Sequence, residues 1–285
     1  MKFTKILCVL LMAVLVSSLF AGCGESGGNS NYVVLEENFG SEEYAIGFRK
    51  GDNSFTLKVQ SVIDEMIADG TAGKISETWF GEDELLKGNN FPGDIQDTGD
   101  SSLDDIMTRG KIILGLDVGF KPMGYYDDAG NIIGFDIDLA KEVASRMGVE
   151  LVLQPIDWDA KELELNNGKI DLIWNGMSVT PERTESMNIS KPYLANRMVI
   201  ITAKDSGIAV KLDLEGKKIG VQAGSSALDA INNDDAAAHE SGAAHSHFEI
   251  IEFPDNPTAY LDLKAGRIDA LVVDEVVGRN LITED

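Results

Sequence analysis

A chain of 285 residues can hold one large domain or two modest ones, and 44% hydrophobic residues suffice for a packed core. With 48 acidic against 24 basic residues and a formal net charge of −24, its surface is ill suited to nucleic acid or an anionic membrane. Net surface charge leaves the charge of any pocket open.

At the N-terminus, Lys2 and Lys5 form a short positive region before an apolar stretch from Ile6 to Phe20, too short for a stable membrane span. It closes on Leu19-Phe20-Ala21-Gly22-Cys23, which resembles the lipobox of bacterial lipoproteins. That resemblance implies a signal over residues 1–22, cut before Cys23, whose thiol then carries a lipid. The alternative is an ordinary signal peptide with a chance cysteine. Cys8 would leave with the signal, so Cys23 is the one thiol expected in the mature chain and no disulfide is expected within a molecule. Residues 23–30 are Gly/Ser-rich and read as a flexible tether. No second hydrophobic span appears, so the expectation is an anchored protein that does not cross the membrane.

From residue 31 onward, β-branched runs alternate with helical patterns, which argues an α/β protein with mainly parallel sheets. Tyr32 to Leu35 and Tyr44 to Phe48 read as two strands, followed by two helices. The first places Phe55, Val59, Val62, Ile63, Met66 and Ile67 inward and ends at Asp69-Gly70. Residues 88–101 are acidic, aperiodic and contain Pro92, which marks a linker. Ile112 to Leu116 is a strand, and Asp136 to Met147 a helix with Ile137, Ala140, Val143, Ala144 and Met147 on one face and Gly148 as its stop. Leu151 to Leu153, Ile170 to Trp174 and Met198 to Thr202 are further strands. A second series follows: strand Lys218 to Gln222, a helix from about Ser225, strand Phe248 to Glu252, helix Pro257 to Ala265 and strand Ile268 to Val273. Asn167-Gly168-Lys169-Ile170-Asp171 weakly repeats as Ala265-Gly266-Arg267-Ile268-Asp269, as two lobes built on one plan would.

Ligands of open α/β sheets bind beyond the carboxyl ends of the strands. Here those ends carry Asp117 and Phe120, then Asn175-Gly176-Met177-Ser178 with Arg183 beyond, then Gly224-Ser225-Ser226, then Asp274. A guanidinium, a helix start, a carboxylate and an aromatic suit a free amino acid: its carboxylate wants a bidentate Arg and N–H groups, its ammonium a carboxylate. Trp174 reads as core.

Five segments carry a family resemblance: Gly134-Phe135-Asp136-Ile137-Asp138-Leu139-Ala140, Gly176-Met177-Ser178-Val179-Thr180-Pro181-Glu182-Arg183, Ser190-Lys191-Pro192-Tyr193, Gly220-Val221-Gln222-Ala223-Gly224-Ser225 and Asp269 to Asp274. Together they resemble the polar-amino-acid class of periplasmic binding proteins that serve ABC importers. The resemblance implies a two-lobed type II periplasmic-binding-protein fold of the α/β class with two hinge crossovers. By position it implies that Arg183 clamps the ligand carboxylate with Ser178, Ser225 and Ser226. Asp274 would take the ammonium with backbone acceptors near Asn175 and Gly176. Phe120 and Trp158 would sandwich the side chain and Asp117 would face its polar end, which favours a polar or cationic ligand. Each position has a plainer rival: surface pairing of Arg183 with Glu182 or Glu185, and a core role for Phe120 and Trp158. His239, His245 and His247, beside Asp234, Asp235 and Glu240, read as a solvated loop between a helix and a strand rather than a metal site. No metal and no cofactor are expected.

The resemblance runs in an unusual order. Tyr32 to Lys87 looks like the end of such a protein, and Leu103 to Asp285 like its beginning and middle. The pieces sum to about one copy, which implies a circular permutation; a tail fused to a truncated neighbouring copy would contain the same pieces. The expected organisation is lobe 1 from residues 44–87 and 102–200, lobe 2 from 31–43 and 201–285, with 88–101 joining the ancestral ends. The function expected is capture of a free amino acid by a monomer on the outer face of the cell membrane and its delivery to ABC permease subunits. An enzyme resembling cyclohexadienyl dehydratases, or a sensor acting through a separate receptor, is the alternative. The amino-acid clamp is complete without a catalytic base.

Overall fold

The computed structural model describes residues 30–241 and 247–283. Cys23, with the lipobox and most of the tether, lies outside the described residues, as does His245. The chain begins with β1 (Tyr32–Arg49), α1 (Asn53–Ala68) and α2 (Thr71–Phe80), then runs through 81–101 without a helix or named strand. Next come α3 (Ser102–Arg109), β2 (Lys111–Leu116) and the short strands β3 (Gly119–Phe120), β4 (Gly124–Tyr126) and β5 (Ile132–Ile133). They lead into α4 (Phe135–Met147), β6 (Glu150–Pro155), α5 (Lys161–Asn166), β7 (Leu172–Ser178), α6 (Pro181–Ser186), β8 (Met187–Ile189) and β9 (Leu194–Ala203). The second series is β10 (Lys218–Gln222), α7 (Ala227–Ser241), β11 (Glu249–Phe253), α8 (Asn256–Lys264), β12 (Ala270–Asp274) and α9 (Glu275–Thr283).

Eight strands run in the order β11-β10-β12-β9-β1-β7-β2-β6, and β8 pairs with β1 beside this path. Two parallel units, β10 with β11 and β12, and β2 with β6 and β7, flank a central antiparallel pair made by β9 and β1. The alternation of strand and helix in the sequence produces the two parallel units, because each crossover helix covers a face of its unit. The expected mainly parallel character is not met, since β1 pairs antiparallel with β7, β8 and β9, and β12 with β9. β3, β4 and β5 form a separate small sheet.

The amphipathic helices follow their periodicity. Phe55, Val59, Val62, Ile63 and Met66 of α1 are buried, and Gly70 takes φ +79° just beyond its end. On α4 the apolar face is buried, Gly148 caps the helix in the left-handed region, and Arg146 in its last turn pairs with Asp69 and Glu142. Each buried Leu, Ile or Phe of such a face contributes about 1.5–3 kcal/mol.

The weak internal repeat has a structural counterpart. Asp171 donates its N–H to the Ile113 carbonyl at 2.8 Å and accepts the Ile113 N–H on Oδ2 at 2.7 Å. Asp269 does the same with Lys218, at 2.8 Å and 2.8 Å. In both parallel units one aspartate extends the ladder by a side-chain rung at the strand entrance.

Of the boundaries that differ from the sequence reading, three bear on the site. The two strands expected at Tyr32 to Leu35 and Tyr44 to Phe48 are one strand of 18 residues, because β9 pairs along it from Tyr32↔Ala203 to Tyr44↔Leu194 despite two irregularities. The strand expected to stop at Trp174 continues to Ser178, since Ala45 and Tyr44 of β1 pair with Met177 and Ser178. The last strand includes Asp274, which pairs with Met198.

Candidate functional site

Arg183 is positioned by a one-turn helix start. Thr180 caps α6, its Oγ1 accepting the Arg183 N–H at 3.2 Å, and Pro181 pre-sets the first turn. The side chain is thereby turned inward and the residue is 6% exposed, against the alternative of surface pairing with Glu182 or Glu185. Nη1 donates to the Ser178 carbonyl at 2.7 Å and Nη2 to the Gly224 carbonyl at 3.1 Å. Burial lowers its pKa, and the charge of Glu42 is the largest of several that oppose this. A guanidinium stays ionised regardless.

Asp274 lies at the carboxyl end of β12, also buried. Its Oδ1 accepts the Tyr44 hydroxyl at 2.7 Å and the Asn196 amide at 2.7 Å. Burial, reinforced by the charge of Glu42, pushes its pKa up to about 7, while Tyr44 and Arg183 pull the other way. Glu42 connects this acid to the arginine side of the site. Its Oε2 accepts the Ser178 hydroxyl at 2.7 Å and the Asn196 amide at 3.3 Å. Glu42 and Tyr44 are two residues apart on β1 and therefore share a face, with Asn196 directly across from Glu42 on β9. Glu42, Tyr44 and Asn196 escaped the sequence reading; the i, i+2 alternation of a strand crossing between the lobes was the available signal.

Asp117 is held from both sides. Its N–H donates to Asn175 Oδ1 at 3.1 Å, its Oδ1 accepts the Gly119 N–H at 2.7 Å, and its Oδ2 accepts Gln222 Nε2 at 2.6 Å from the end of β10. Burial raises its pKa. It lines a cavity of about 620 Å³ together with Trp158, Asp157, Asp255, Glu164 and Lys169, a mouth with four carboxylates to one ammonium.

The remaining positions sit close by. Gly176 has φ +58°, donates its N–H to Asp136 Oδ2 at 2.7 Å, and faces Phe120 so closely that a Cβ would lie 2.6 Å from the ring. Phe120 also packs edge-on against Tyr44, 6.4 Å between centres. Asn175 Nδ2 is buried without a hydrogen-bond partner. Ser225 turns its hydroxyl to the Gln222 carbonyl of its own loop at 2.7 Å, whereas Ser226 lines a second cavity of about 370 Å³ with Glu42 and Thr180. α7 begins just after them, at Ala227. Trp174 is buried in the core. α7 reaches Ser241, so His239 falls within a helix rather than in the expected loop, because the Ala-rich sequence there favours helix over irregular chain. Among the described residues no group of three or more His, Cys, Asp or Glu side chains stands ready for a metal, and no helix is long and apolar enough to cross a membrane.

Residues 112–249 match the model of the bacterial extracellular solute-binding proteins, family 3. The chain is 29% identical over 182 residues to the L-cystine-binding protein TcyJ of Escherichia coli, covering 63% of this chain and 65% of that one. It is 39% identical over 115 residues to the arginine-binding extracellular protein ArtP of Bacillus subtilis, covering 40% and 45%. The chain thus spans less than two thirds of the length of these curated relatives. A solved ABC uptake transporter substrate binding protein of Streptococcus pneumoniae, with bound histidine, is 39% identical, covers 64% of this chain and 73% of its own, and superposes with a TM-score of 0.56. All three are named as binding proteins rather than enzymes. A buried arginine and a buried acid from opposite parallel units, set in a two-lobed α/β frame with these relatives, have one reading: the chain belongs to the bacterial extracellular solute-binding proteins of family 3.

Proposed function

We propose that the protein captures a free amino acid with a cationic side chain between its lobes and delivers it to an ABC importer, without catalysing a reaction. The carrying observation is the pair Arg183 and Asp274: both are buried, each feels the other's charge, and they come from opposite sides of the sheet. A zwitterion answers both, its carboxylate on the guanidinium and its ammonium on the acid. In this reading Ser178 and Ser226 assist at the carboxylate end and backbone acceptors near Asn175 and Gly176 at the ammonium end. Asp117, with Asp157, Asp255 and Glu164 around the adjoining cavity, favours a positive side chain resting on Trp158. Closure is selected by contacts that exist only when both sides meet.

The test is thermal melting against a panel of the common amino acids. A ligand at 100 times its Kd adds about 2.7 kcal/mol of stability. L-Arginine, L-lysine or L-histidine should shift the melt and acidic amino acids should not; no shift with any amino acid would remove the reading.

Two further readings belong with it. Cys23 would carry a lipid that holds the protein on the outer face of the membrane, which mass spectrometry of the membrane-extracted protein tests directly. The chain order would be a circular permutation, with lobe 2 made of 31–43 and 201–285 and lobe 1 of 44–87 and 102–200. It is supported by β1, first in the chain, pairing in mid-sheet between β9 and β7. A protein with residues 31–87 moved behind residue 283 should bind the same ligand; failure of that order to fold would argue against it.

A further inference from the structure

Lysine is almost never fully buried without a partner, yet Lys161 is 4% exposed at the start of α5. Its Nζ donates to the Gly224 carbonyl at 2.7 Å and to the Trp158 carbonyl at 3.3 Å, and lies 5.2 Å from the Trp158 ring centre. The same Gly224 oxygen accepts Arg183 Nη2 at 3.1 Å. Two cations from one lobe therefore converge on one neutral oxygen at the approach to α7 in the other. Neither forms an ion pair with a carboxylate among the described residues.

A carbonyl dipole neutralises only a fraction of two buried charges. Glu162, Asp159 and Glu182 act on Lys161, and Glu42, Glu162 and Asp274 on Arg183, from beyond ion-pair distance, while the two cations repel each other. A carboxylate brought to the same point would satisfy both through charge-assisted hydrogen bonds. Gly224 makes the approach possible: at φ +67°, a Cβ there would lie 2.8 Å from the Asp159 Cα and 3.3 Å from Lys161 Nζ.

We infer that Lys161 is a second anchoring cation for the ligand carboxylate, acting beside Arg183 and setting a requirement for an ionised carboxyl group. The inference rests on the amino-acid reading of the site and deepens it. A single arginine can hold a carboxylate; a lysine added at the same oxygen raises the cost of a neutral group there, because an amide presents an N–H₂ to two donors.

The experiment is calorimetric titration of the full chain with L-arginine, L-lysine and L-histidine and with their α-carboxamides. It uses the wild type, Lys161→Met, Lys161→Gln and Lys161→Arg. The wild type should prefer acid over amide by 100-fold or more. Lys161→Met and Lys161→Gln should each lose about 10- to 100-fold in affinity for the acid and little for the amide, which narrows the preference. Lys161→Arg should keep most of it. Lys161→Gln keeps a donor of similar length, so it serves if the methionine variant fails to fold. Equal weakening of acid and amide would make Lys161 a packing residue and overturn the inference, as would unchanged affinity for the acid. Wild-type protein that binds none of the three acids would overturn the ligand reading itself, an outcome distinct from an unmoved preference in the variants.

Discussion

Tyr44 donates its hydroxyl to Asp274 at 2.7 Å across 230 positions of sequence. The contact joins the central strand β1 to the end of β12, and with Asn196 it leaves Asp274 Oδ1 doubly hydrogen-bonded in a buried site. Removing the hydroxyl should leave the carboxylate under-satisfied and push its pKa higher still. Tyr44→Phe is therefore expected to weaken L-arginine binding at pH 7 by about 10-fold, in line with ~1.5 kcal/mol for a hydrogen bond to a charged group. Titration calorimetry reads the loss, and an unchanged affinity would show that Asp274 does not depend on Tyr44.

The raised pKa of Asp274 also makes binding pH-dependent. An ammonium pairs with the ionised carboxylate, so below about pH 7 binding must first expel a proton. Affinity for L-arginine should rise from pH 6 to pH 8, with proton release near pH 6.5 measurable by titration in buffers of different ionisation enthalpy. Asp274→Asn should abolish both the binding and the proton release while the protein still melts cooperatively.

Asp136 carries the same kind of shift. It is fully buried, accepts the Tyr193 hydroxyl at 2.8 Å and the Gly176 N–H at 2.7 Å, and burial raises its pKa to about 7. The folded state then holds a proton that the unfolded chain releases at lower pH. Its contribution to stability is present below the unfolded value near 4 and is lost as pH rises through 7. Urea denaturation without ligand should show lower stability at pH 8 than at pH 5, and Asp136→Asn should flatten that slope.

Asp117 lines the acidic cavity that the proposed function assigns to the ligand side chain, and is held by Gly119 and Gln222. Asp117→Asn should cost L-arginine about 10-fold or more in affinity and leave its neutral isostere L-citrulline nearly unaffected. Competition between the two ligands measures the change, and equal effects on both would place the side chain elsewhere.

The paired ladder aspartates predict a purely structural effect. Asp171→Ala strips the acceptor from the part-buried Ile113 N–H and should cost about 1–3 kcal/mol in urea denaturation, whereas Asp269→Ala frees the exposed Lys218 N–H, which water can satisfy, and should cost less. Ligand affinity should hold within a factor of about two for each, since neither residue reaches the site.

Much of the architecture was legible beforehand. Helices α1 and α4 follow from apolar spacing and from Gly70 and Gly148 past their ends, and β2, β10 and β11 from short β-branched runs. Strand β1 was legible only at its extremes. Its middle, Glu36 to Glu43, is rich in residues of low strand propensity, and pairing with β9 overrides that preference. The ends of β7 and β12 were read short for a similar reason: Asn175, Ser178 and Asp274 are polar, and a buried polar strand end looks like a loop until its hydrogen-bond partners are known.

By itself the sequence determined the alternation of elements, the family segments and the types of group available to a ligand, because these depend on local periodicity and residue chemistry. The tertiary structure alone decided that Glu42 links Ser178 to Asn196 and Asp274, that Gln222 meets Asp117, and that Lys161 and Arg183 share one oxygen. Those meetings are made by sheet register and lobe contact between distant segments, and a pattern that repeats every two or 3.6 residues carries no record of what lies across the sheet.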